Sequence, residues 1–96
     1  MIAEIQCLPT PAGTPDDPHA HVEAAIAVIA ASGLHYEVGP LGSTLEGEPD
    51  EVWAVLQRAH EAALAAGATS ALAVIKIAEL RGPGAKTMDE LTSKFR

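Results

Sequence analysis

The chain has 96 residues, a formal charge of −7 and 48% apolar residues, yet Tyr36, Trp53 and Phe95 are its whole aromatic complement. Six scattered Lys and Arg exclude a nucleic-acid backbone as partner, which requires clustered cations. A single cysteine, Cys7, excludes an internal disulfide framework and a Cys-based zinc site and suits a reducing cytosol.

No basic leader is present at the N-terminus, and no apolar run nears the roughly 18 residues that cross a bilayer. The chain therefore reads as one cytoplasmic domain over residues 1–96. Its core must be built from Ala, Val, Ile and Leu, and its small size favours a homo-oligomer.

From Ile2 to Leu8, the residues Ile2, Glu4, Gln6 and Leu8 alternate with Ala3, Ile5 and Cys7, which predicts a strand. Pro9, Pro11, Gly13 and Pro15 then break regular structure. Asp16 or Asp17 is expected to cap a helix opening at Pro18, with Val22, Ala25, Ile26 and Ile29 on one face and Gly33 as its left-handed stop. His35 to Gly39 forms a second strand, and Gly39-Pro40 turns the chain into PLGSTLEG, residues 40–47, a third.

Pro49 opens a second helix with Asp50 and Glu51 at its positive end, and Val52, Leu56, Ala59 and Ala63 recur at helical spacing until Gly67. Thr69 to Leu80 contains the near-continuous apolar segment ALAVIKIA, interrupted only by Lys76, and is expected to be a strand covered on much of both faces. Thr87-Met88-Asp89-Glu90 is a capping box for a short tail helix with Leu91 and Phe95 on one face.

The order βαββαβ with right-handed crossovers predicts an α+β fold. This is the ferredoxin-like split βαβ sandwich, with a four-stranded antiparallel sheet, both helices on one face and a short C-terminal helix. The bare sheet face is expected to pack against a second copy.

Within that frame the third strand is expected to present Ser43 and Glu46, on the open sheet face, to a small molecule held where subunits meet. Alternation sets them on opposite faces, and a half-buried strand explains the same residues without any ligand. Lys76 needs either an ion pair, with Glu4 as the natural partner, or a ligand. His19, His21, His35 and His60 lack metal-ligand spacing. Cys7 reads as a structural thiol. Ser43 has no nucleophile-elbow context, and Gly82-Pro83-Gly84-Ala85-Lys86 is no phosphate loop.

The segments IAEIQCLP, SGLHYEVGPLGSTLEGEPDEVW, RAHEAALAAGA and AVIKI, with Arg81 downstream, span nearly the whole chain. Together they resemble the small thiamine-binding proteins of the YkoF-like superfamily. The resemblance implies a ferredoxin-like fold, homodimers or homotetramers formed by sheet packing, and non-catalytic binding of thiamine or its aminopyrimidine portion, with no cofactor required. By matching positions it nominates Gln6, Tyr36, Ser43, Glu46 and Lys76 as ligand-binding. Two alternatives stand beside it: a small dimeric ferredoxin-like enzyme in which His60 or Glu46 moves a proton, and a purely structural assembly module.

Overall fold

A computed structural model describes residues 1–96. Its elements are β1 (Ile2–Thr10), α1 (Ala20–Ala30), β2 (His35–Val38), β3 (Ser43–Glu46), α2 (Pro49–Ala65), β4 (Ser70–Ala78) and α3 (Met88–Thr92), with a single 3₁₀ turn over Ser93–Phe95. The four strands form one antiparallel sheet in the order β2-β3-β1-β4. The architecture is the expected ferredoxin-like α+β sandwich.

The period-2 pattern of β1 assigns its faces. Ala3 and Ile5 are buried beneath the helices with Leu45 of β3, and Ile2, Glu4, Gln6 and Leu8 lie on the opposite, open face. Ile5, Leu45, Ile29, Val52 and Leu56 are the largest fully buried side chains. Burying each such side chain contributes about 1.5–3 kcal/mol.

Helix α1 starts two residues later than Pro18 and is not capped by Asp16 or Asp17. Residues 14–17 close their own turn through reciprocal Thr14–Asp17 main-chain bonds. The carbonyl of Ala12 then accepts from the N–H groups of His21 and Val22 at 2.9 and 3.3 Å. A loop carbonyl thus does the work expected of an aspartate. Gly33 adopts φ +81° after the helix, as its position predicts. The capping box at Thr87 and Glu90 forms in both directions.

Two features differ from expectation. The strand β4 is exposed along most of its length, because it is an edge strand that α2 covers only in part. The open face, in turn, is not bare across its whole width. Glu46 accepts from the Met88 N–H at 2.9 Å, His35 pairs with Asp89 at 3.0 Å, and Arg96 pairs with Glu37. His35, Glu37 and Glu46 share the open-face rows of β2 and β3, so the C-terminal segment straps that half of the sheet and buries Met88. The β1–β4 half stays uncovered.

Candidate functional site

Strand β3 ends, at Ser43, opposite Ile5, whereas β1 continues to Thr10 against β4. Beyond Ile5 the β3-facing edge of β1 therefore has no strand partner. Met1 exchanges main-chain hydrogen bonds with Gly47 on that side, so by alternation Ala3, Ile5, Cys7 and Pro9 turn their backbone groups the same way. Pro9 fits the strand because its missing N–H would point to this open edge and not into the β4 ladder. Cys7 is left presenting an N–H and a C=O side by side.

That open edge is one wall of a cleft of about 210 Å³. A second wall is the α1 face formed by Val22, Ala25, Ile26 and Ile29, and a third is the turn Gly39–Gly42 that joins β2 to β3. Ser43 is at its base, only 4% exposed. No fully buried side-chain oxygen or nitrogen lacks a partner, and the Ser43 hydroxyl has none within the chain, so it opens onto the cleft. Close approach favours glycine at position 42: a Cβ there would lie 3.2 Å from the Ile5 carbonyl oxygen and 3.3 Å from Glu4 Cγ, both tight contacts.

Chemically, the cleft combines an aliphatic wall, a hydroxyl and an adjacent main-chain donor and acceptor. A flat heteroaromatic ring with neighbouring N–H and ring nitrogen is the natural complement. The volume is below the roughly 300 Å³ at which multi-ring pockets begin, so it suits one ring with the remainder of a ligand emerging past the turn. Glu4 is the carboxylate nearest that turn. Burial pushes the Cys7 thiol above its ordinary value, which opposes a nucleophilic role.

The five residues singled out from sequence do not converge. Ser43 and Gln6 both border the cleft, although alternation directs the Gln6 side chain to the open face and leaves its backbone at the rim. Lys76 is on the open face, 3.5 Å from Glu4. Glu46 is engaged by α3. Tyr36 pairs with Leu45 on edge strand β2, 39% exposed and outside the cleft. The Cys7 edge, the α1 wall and the turn lip, where Leu41 is exposed, escaped notice. Pro9 at the end of an alternating strand was the available signal.

A profile of the family described as thiamine-binding protein matches residues 3–96. The chain belongs to the thiamine-binding protein family. A UPF0045 protein of Clostridium perfringens is 32% identical over 75 residues, covering 78% of this chain and 77% of that protein.

Among solved structures, a domain of unknown function from Bacillus cereus is 35% identical with a TM-score of 0.79, covering 100% of this chain and 91% of its own. A candidate thiamine biosynthesis/salvage protein of Thermotoga maritima is 26% identical with a TM-score of 0.75 and full coverage of both chains.

Proposed function

We propose that this protein binds thiamine or a related aminopyrimidine without chemical conversion, and that the pyrimidine enters the cleft between α1 and the unpaired edge of β1. The observation that carries this reading is the donor and acceptor pair of Cys7 beside the Ser43 hydroxyl in a cleft of single-ring size. In the bound state Ser43 and the Gln6–Leu8 edge read the aminopyrimidine. Glu4 complements the thiazolium charge outside the turn. Glu46 and Tyr36 act on the site only through the elements they support, and Lys76 through Glu4.

Only 14 of the 96 residues are buried in the single chain, which supports the homodimer or homotetramer expected from sequence. Leu8, Leu72 and Val74 on the uncovered half of the sheet form the surface for packing against another copy. No helix is long and apolar enough to cross a membrane.

Titration calorimetry tests the reading. Thiamine is expected to give saturable heat, and Ser43→Ala to weaken binding about fivefold, the usual effect of losing one neutral hydrogen bond. Heats no larger than buffer dilution for both thiamine and its pyrimidine would end it. Recovery of chemically altered ligand would favour the enzyme reading.

A further inference from the structure

We infer that His21 is a positioning residue for the cleft: it fixes the α1 wall opposite the unpaired edge of β1, at the end that β3 does not reach. Its importance for binding rests on the cleft being the ligand site, whereas the clamp itself can be read without a ligand.

Of the four histidines His21 alone is buried, 3% exposed. It stands in the first turn of α1, next to Val22 of the cleft wall. Its Nδ1 lies 2.7 Å from the Pro11 carbonyl oxygen, and a carbonyl only accepts, so Nδ1 carries a proton and donates it to this bond. On its other side the ring lies against Gly67, where the chain leaves α2: a Cβ there would stand 3.0 Å from Nε2. One imidazole thus touches the loop after β1 and the turn after α2 from the start of α1. That turn is itself held, since Thr69 donates to the Thr10 carbonyl through its N–H at 2.8 Å and its hydroxyl at 2.9 Å.

The position matters because the two ends of the α1 wall are supported differently. Toward the C-terminus, Ala25 and Ile29 are buried in the core with Ile5 and Leu45. Near His21 the sheet lacks β3, which stops opposite Ile5. There the Ala12 carbonyl ties the first turn of α1 to the loop, and the His21 ring ties that loop to the end of α2. Without the ring the Pro11 carbonyl loses that donor, and the spacing between the aliphatic wall and the Cys7 backbone is no longer preset. A ligand would then bear the cost of ordering the wall as it binds.

Iodoacetamide labelling of Cys7, which lines the cleft, reads the clamp on the ligand-free full chain. His21→Ala should speed labelling severalfold. Val55→Ala, a truncation in α2 beside the segment that follows α1, should lower the urea midpoint as well yet leave the labelling rate near that of the unaltered chain. His21→Asn, whose amide can donate where Nδ1 does, should restore most of the slow rate. Equal acceleration by His21→Ala and Val55→Ala would make His21 a packing residue only and overturn the proposal, as would an unchanged rate in His21→Ala. Calorimetry with thiamine, on variants shown by circular dichroism to be folded, gives the second reading: binding about tenfold weaker in His21→Ala and within about twofold in His21→Asn and Val55→Ala. Full affinity in His21→Ala would also overturn it. No thiamine heat from the unaltered chain would end the binding reading alone, because the labelling comparison still decides the clamp.

Discussion

At the scale of single residues, Cys7 offers the most direct report on the cleft. It is the sole cysteine, half-buried at the site, and burial raises its pKa, so alkylation should be slow near neutrality and quicken only above the ordinary thiol range. Thiamine bound in the cleft should slow iodoacetamide labelling of Cys7 further, whereas a ligand on the open sheet face would leave the rate unchanged. Mass spectrometry of the labelled fraction over time distinguishes the two. Cys7 was easy to read as a structural thiol from sequence. Its significance lies in its backbone groups, which become visible only when β3 is seen to stop at Ser43.

His35 is the second informative residue. Its hydrogen bond to Asp89, with further help from the charges of Asp89, Glu46 and Glu37, raises its pKa above the ordinary value of 6.5. A raised value means that protonated His35 favours the docked tail. The contribution is fully present below pH 6.5 and is lost as pH climbs through the raised value. NMR titration should show the His35 midpoint falling toward the ordinary value in Asp89→Asn, and the protection factors of the tail amides in the unaltered chain, with intrinsic exchange rates divided out, should be lower at pH 8 than at pH 6. The ion pair is exposed, so the effect belongs to the tail and not to the global fold.

Among the elements, α3 shows how a marginal helix is held. Five residues cannot sustain a helix in water, yet the Thr87–Glu90 capping box, the Glu46 carboxylate on the Met88 N–H and the burial of Met88 act together on its first turn. Thr87→Ala should reduce local protection of residues 88–92 by about 1 kcal/mol, measured by amide exchange, with little change in the global unfolding midpoint. The cap was legible in the sequence because it is local. The role of Glu46 was not, since the acceptor and the helix it serves are 42 positions apart. A glutamate with this task is available to a ligand only if α3 lets go.

For the molecule as a whole, the core is a thin layer between two helices and the inner rows of β1 and β3. Leu56 is fully buried within it, and Leu56→Ala should cost about 2–5 kcal/mol in urea unfolding, a large share of the stability of so small a chain. The exposed apolar rows of β4 lie outside that core. Their contribution to stability should therefore appear only on association, as an unfolding midpoint that rises with protein concentration.

Apolar spacing, helix stops, the α3 cap and the βαββαβ order were all determined by the sequence, because each depends on neighbours within a turn or two of chain, and the period of the pattern names both the element and its inward face. The Glu4–Lys76 pair was also legible once β1 and β4 were placed side by side. Tertiary structure alone decided that β3 ends short of β1, that a loop carbonyl starts α1, and that the tail straps half of the open face. These outcomes depend on where distant segments stop relative to one another, a relation set by packing in three dimensions and carried by no local spacing.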